Sequence, residues 1–186
     1  SILSCMVWAL PVRCLLCLAW GREALCGACL QFHANPGLMG ARPRCAGCGI
    51  RLATGVPRCA TCERDPPPHG PVKVAVDYAH PWDRVVMQLK FGARPEWGAG
   101  LALLMARALG AAPSPGTARE PVPTRVVPVP LSRERMRLRG YNQAWELARP
   151  LARRLGLSAR ADVLTRPVHL GGQAQQDRQA RLSRLR

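Results

Sequence analysis

Hydrophobic positions change their period along this chain, and the changes mark out its elements. The apolar stretch Ile2 to Val12 predicts a short helix that packs Leu3, Val7 and Leu10 against the rest of the protein. From residue 72 the spacing becomes regular. Val72, Val74, Val76 and Tyr78 alternate as in a half-buried strand. Pro81 suits a first helical position, and Trp82, Val85, Val86 and Leu89 then recur on one helical face up to Gly92. Leu101, Leu104, Met105 and Ala108 predict a second helix that stops at Gly110. Residues 111–122, rich in Pro, Ser and Gly, read as a loop, and Val126 to Val129 as a short buried strand. A third helix is expected from Asn142 to Leu155, with Ala144, Ala148, Leu151 and Leu155 aligned and with Pro150 kinking or shortening it. Strands alternating with helices favour an α/β layer with parallel strands.

The first third of the chain has a different logic. Eight of the nine cysteines form four Cys-x-x-Cys pairs: Cys14/Cys17, Cys26/Cys29, Cys45/Cys48 and Cys59/Cys62. Two intervening residues let both sulfurs of a pair turn onto one metal, and eight thiolates complete two tetrahedral zinc sites. Eight residues separate Cys17 from Cys26 and ten separate Cys48 from Cys59, which groups consecutive pairs into two short ribbons. A crossed arrangement is open as well, because the fifteen residues between Cys29 and Cys45 are also a zinc-like interval. A disulfide framework is the rival chemistry; it belongs with a secretory signal, and residues 2–12 have no basic leader or small-residue cleavage site. Gly27, Gly47 and Gly49 sit where knuckles turn. Leu15, Leu16, Leu25, Leu30, Ile50 and Leu52 are few for an ordinary core, so each metal supplies folding energy on the order of 10 kcal/mol, and a chelator is expected to unfold residues 10–65. Cys5 reads as a buried apolar residue; His33 and His69 are alternative ligands, disfavoured because the eight paired cysteines already fill two sites.

Length and charge narrow the class. At 186 residues there is room for one small metal module and one domain of ordinary size, divided at the stiff segment 66–71. The longest apolar stretch is shorter than the roughly 20 residues of a membrane span, and reduced-looking cysteines point to the cytoplasm. The formal charge is +16, from 27 basic and 11 acidic residues. Two four-thiolate zinc sites would lower that by four, to about +12. Only Lys73 and Lys90 are lysines; so strong an arginine bias also reflects a skewed base composition, which weakens charge alone as evidence for an anionic partner.

Distribution says more than the total. Val127-Pro-Val-Pro-Leu131 leads through Arg133, Arg135, Arg137 and Arg139 to Gly140-Tyr-Asn-Gln143, which opens the third helix. In open α/β sheets, ligands bind beyond the carboxyl ends of the strands. Forked arginine donors, a glycine that allows close approach and the amides of a helix start all suit phosphate, making Arg133, Arg137, Arg139 and Gly140 the candidate phosphate-binding residues. The plainer alternative is a solvated arginine-rich loop capped by Asn142.

Together, the cysteine pairs, Val127-Pro-Val-Pro-Leu131, Arg139-Gly-Tyr-Asn-Gln143 and Leu151-Ala-Arg-Arg-Leu-Gly156 resemble the ComF family. Leu89-Lys90-Phe91 before Gly92 and Leu164-Thr165-Arg166 support the match. The resemblance implies a double zinc ribbon (1–65), the linker 66–71 and a type I phosphoribosyltransferase-like α/β domain (72–186). It also implies an association with competence and the uptake of single-stranded DNA, with 5-phosphoribosyl 1-pyrophosphate or a nucleotide as ligand. Residues 165–186 would correspond to the flexible loop over the substrate. The family's sugar-phosphate motif, two acidic residues and a Thr-Thr-Gly-type loop, is absent before Arg186, and Asp162 and Asp177 stand alone. The expectation is therefore a C-terminally incomplete domain that does not catalyse phosphoribosyl transfer as written, and Mg²⁺ belongs only to a complete one. The alternatives are a zinc-ribbon protein holding single-stranded DNA, with Trp82, Trp97, Tyr141 or Trp145 stacking on bases, and a scaffold whose ribbons bind a protein such as a competence-machinery component.

Overall fold

The computed structural model describes residues 10–34, 43–110 and 123–166. Leu3, Val7, Cys5, the loop 111–122 and most of 165–186 lie outside the described residues. Leu10 is 83% exposed, and the chain enters strand β1 (Val12–Arg13), which pairs antiparallel with β2 (Trp20–Gly21). The expected packing of Leu10 is therefore wrong: the chain is already extended at residue 12, leading into the first knuckle.

Each ribbon ends in a short helix, α1 (Gly27–His33) and α2 (Ala60–Arg64). The helical layer follows as α3 (Trp82–Phe91), a 3-10 turn (Pro95–Trp97) and α4 (Gly98–Gly110). Strand β3 (Arg125–Val126), α5 (Arg133–Arg139), α6 (Gln143–Leu155) and β4 (Ser158–Ala159) complete the described chain. β3 and β4 pair in parallel, with Arg125 opposite Ser158 and Val126 opposite Ala159. The strand expected at 126–129 is thus shorter and begins one residue earlier.

The helical periodicities are realised closely. Trp82, Val85 and Leu89 are buried along α3, Leu101 and Leu104 along α4, and Ala148 and Leu151 along α6. Pro150 does not shorten α6, which runs its full expected length. A proline at 150 has no N–H for the carbonyl of Glu146, four residues back. That carbonyl lies where a Cβ on Gly98 would have to sit, so the start of α4 packs closely on this turn of α6.

The alternating segment 72–78 is not a strand. The Val72 N–H donates to the Ala46 carbonyl at 2.8 Å, and Val74 packs where a Cβ on Gly49 (φ 76°) would collide with it. Tyr78 is exposed. The alternation is real for Val72 and Val74, but their partner is the second ribbon rather than a sheet.

One buried cluster joins the first ribbon to the helices: Cys14, Leu15, Leu25 and Cys29 pack with Trp82, Val85, Leu89, Leu101 and Leu104. The leucines that seemed too few for a core are thus completed by α3 and α4. Trp82 is the largest fully buried side chain among the described residues, and its Nε1 donates to the His33 carbonyl at 3.2 Å.

A carboxylate ties the second ribbon to the segment ahead of α3. Asp77 accepts from Arg44 Nη2 at 2.6 Å and from Arg51 Nε at 2.9 Å, and those arginines face each other across an antiparallel bridge. The hydrogen-bonded Arg51, then Arg44, holds the Asp77 carboxyl below its ordinary value. A depressed folded value means stability that is present above the unfolded pKa, about 3.9, and lost as the pH falls through the folded one. Asp77→Asn is expected to cost about 1–2 kcal/mol at neutral pH, a deficit that shrinks in denaturant titrations at an acidic pH below the depressed Asp77 value. An equal deficit at both pH values would show that the charge plays no part.

Candidate metal centres and basic surface

The structure groups the cysteines consecutively. Cys14, Cys17, Cys26 and Cys29 form one tetrad and Cys45, Cys48, Cys59 and Cys62 the other, with the four sulfurs of each within 4.8 Å of one another. That grouping is the consecutive one rather than the crossed one, and none of the eight is joined in a disulfide. Four Sγ atoms at about 2.3 Å from a central zinc would be about 3.8 Å apart. Cys17 and Cys26 are separated by 3.6 Å, Cys45 and Cys59 by 3.8 Å, and Cys48 and Cys59 by 3.7 Å. The donor set and its spacing fit a four-thiolate metal centre.

The two tetrads repeat one local design. The Cys26 and Cys59 amides donate to Cys14 Sγ (3.5 Å) and Cys45 Sγ (3.4 Å). The Cys29 and Cys62 amides donate to Cys26 Sγ (3.4 Å) and Cys59 Sγ (3.5 Å), so the third cysteine of each set caps a helix. Such donors favour the thiolate. Burial pushes the Cys14 thiol up, but the amides of Cys26, Cys17 and Leu16 outweigh it and bring it to about 6. The Cys59 amide is the main influence bringing Cys45 down to about 6. Burial and the neighbouring sulfurs push Cys29 up, and raise Cys62 to about 12. The amide donors favour the thiolate form of Cys14 and Cys45, the form in which cysteine ligates a metal.

Around the arginine-rich segment the structure replaces the expected loop with helix α5. Ser132 is its buried N-cap, and Gly140 (φ 79°) closes it in the left-handed conformation. A helix divides the arginines. Arg133 and Arg137, one turn apart, are exposed and have no ion pair among the described residues. Arg139 lies on another face, half-buried; its guanidinium is 5.3 Å from the Phe91 ring centre and donates to Gln143 Oε1. Burial lowers its pKa. The Tyr141 hydroxyl donates to the Leu89 carbonyl at 2.6 Å. Asn142 Nδ2 donates to the Val129 carbonyl at 3.1 Å, while its Oδ1 accepts from the Ala144 amide at 2.9 Å and caps α6. The Arg139–Gln143 segment is therefore a junction binding α3, α5, α6 and the Pro-Val-Pro turn. Of the four candidate phosphate-binding residues, the structure brings Arg133 and Arg137 together and sets Arg139 and Gly140 apart from them. Among the aromatics offered for stacking, Trp82 is wholly buried and unavailable, whereas Trp97 and Trp145 are half-buried.

No helix among the described residues is long and apolar enough to cross a membrane.

Comparison with known proteins places these features. The DNA utilization protein YhgH of Escherichia coli (strain K12) is 32% identical over 160 residues, which cover 84% of this chain and 67% of that protein. Its namesake in Salmonella typhi is 35% identical over the same shares. Competence protein F of Haemophilus influenzae is 27% identical over 84% of this chain and 66% of its own length. No family model matches the chain, and no solved structure matches it.

Proposed function

The chain belongs to the ComF family, and on that premise we propose that it binds single-stranded DNA in competence or DNA utilization, on a platform built around two structural zinc ions. The observation that carries this reading is the α5 surface: Arg133 and Arg137 stand exposed and without ion pairs among the described residues, on a helix fixed at both ends. A formal net charge of +16, about +12 with two four-thiolate zinc sites, adds long-range attraction for a polyanion. The zinc ions supply folding energy and cross-linking, with all four positions of each filled by cysteine.

Single-strand binding loses about 0.7 in log–log salt slope for each phosphate contact removed. Arg133→Ala with Arg137→Ala is therefore expected to flatten the slope by about 1.4 in anisotropy titrations of a labelled oligonucleotide. An unchanged slope and affinity would remove α5 from the DNA surface; no binding by the parent protein at low salt would end the reading itself.

A second reading has its own support. The parallel β3–β4 pair, with α5 beyond the end of β3, has the connectivity of an α/β phosphate site. On this reading residues 72–186 are phosphoribosyltransferase-like, and Arg133 and Arg137 meet the pyrophosphate of a phosphoribosyl donor. Saturable binding of 5-phosphoribosyl 1-pyrophosphate that displaces no DNA would favour it.

A further inference from the structure

A cleft of about 490 Å³ opens between the first ribbon and α3, on the side of the molecule built by α1 and the 3-10 turn. That volume lies within the range of small-molecule sites, about 300–1,000 Å³. Its lining has three kinds of surface. Leu15 and Val85 of the shared core form an apolar wall, beside the half-buried indole of Trp97. Arg84 and Arg94 bring two guanidiniums, and no aspartate or glutamate is among the described residues that line it. Gln88 offers both an amide donor and an acceptor.

Each surface matches a part of one ligand. An indole beside an apolar wall accepts the face of a base, a carboxamide reads its polar edge, and paired guanidiniums take a phosphate. Arg84 has no side-chain partner among the described residues, and Arg94 has only a long exposed contact with Glu96 at 3.4 Å. Both are therefore available to an anion. An uncharged apolar ligand would leave the two cations unused, and a cationic one would be repelled.

We propose, resting on the DNA-binding reading above, that this cleft receives a nucleoside phosphate: one nucleotide of a single strand, or a free nucleotide of the same chemistry. Trp97 stacks on the base while Arg84 and Arg94 hold the phosphate. The cleft is separate from the α5 arginines and gives the strand a second, base-contacting point of attachment.

The test is photocrosslinking of a short single-stranded oligonucleotide carrying 5-iodouracil to the intact chain, with the modified peptide mapped by mass spectrometry. The expected crosslink falls on Trp97 or His80, which also lines the cleft. It should disappear, with about tenfold weaker binding, in Arg84→Ala/Arg94→Ala. These exposed side chains are not part of the core, so the variant should fold; its unfolding midpoint controls for that. Competition by thymidine 5′-monophosphate at low concentration identifies the free nucleotide as occupant; competition by the oligonucleotide alone identifies the strand. Either supports the site. Crosslinks mapping elsewhere, with the double variant binding as the parent does, would overturn the cleft yet leave the DNA-binding reading standing. Failure of the parent protein to bind any strand would overturn both.

Discussion

A strong chelator is expected to melt residues 43–77 first, while the first ribbon and the helices behind it persist. The two tetrads share one local geometry but differ in what lies around them. In the second, Cys45 and Cys62 are buried, yet Ile50 is 51% exposed and Val56 40%, so little apolar surface supports the metal. Its other attachments are the Asp77 ion pairs, the Val72 hydrogen bond and the contact of Val74 with Gly49. Those few kcal/mol do not replace a metal whose binding contributes on the order of 10 kcal/mol. In the first tetrad Cys14 and Cys29 belong to the central cluster, and burial of Leu25 alone contributes about 2–3 kcal/mol. Hydrogen exchange followed peptide by peptide during chelation checks this. Loss of protection should begin in the second ribbon and reach residues 10–34 only at higher chelator concentration. Simultaneous loss in both would mean that the ribbons fold as one unit; no loss in either would mean that metal is not structural.

Trp82→Ala is the substitution with the largest expected cost. Only 1% of Trp82 is exposed, and it sits where α3 meets the first ribbon. Truncating a buried aromatic to alanine costs about 3–5 kcal/mol, and the His33 carbonyl would lose its donor as well. Against a typical total of about 5–15 kcal/mol, that removes much of the stability. Trp82→Phe keeps most of the packing and isolates the hydrogen bond, so it should cost about 1–3 kcal/mol. Urea melts of metal-saturated protein give both values. A loss below about 1 kcal/mol for Trp82→Ala would place the core elsewhere.

How far the sequence carried the fold can be read from these residues. Trp82, Val85 and Leu89 were legible because a helix against a core writes a 3.6-residue period. Cysteine spacing revealed two four-thiolate sites, and the shorter intervals pointed to consecutive pairing, but only coordinates distinguish that from the crossed form. Val72 to Tyr78 misled because alternation reports two different faces, not the identity of the partner, and here the partner is a knuckle. Asp77 carried no local signal: its arginines are 33 and 26 residues away in sequence. The arginines of 133–139 were visible as charge, but their division between faces follows from the Ser132 and Gly140 caps that make the segment a helix. Pro150 looked disruptive because its accommodation depends on Gly98, a distant glycine whose role emerges only from packing.

Two four-thiolate centres underlie everything else proposed for this protein, and native mass spectrometry of the freshly isolated chain tests them most directly. Two zinc ions per chain are expected, the release of each making its own four cysteines reactive to a thiol reagent. A metal-free chain that is nonetheless folded, or one whose cysteines are joined as disulfides, would contradict it.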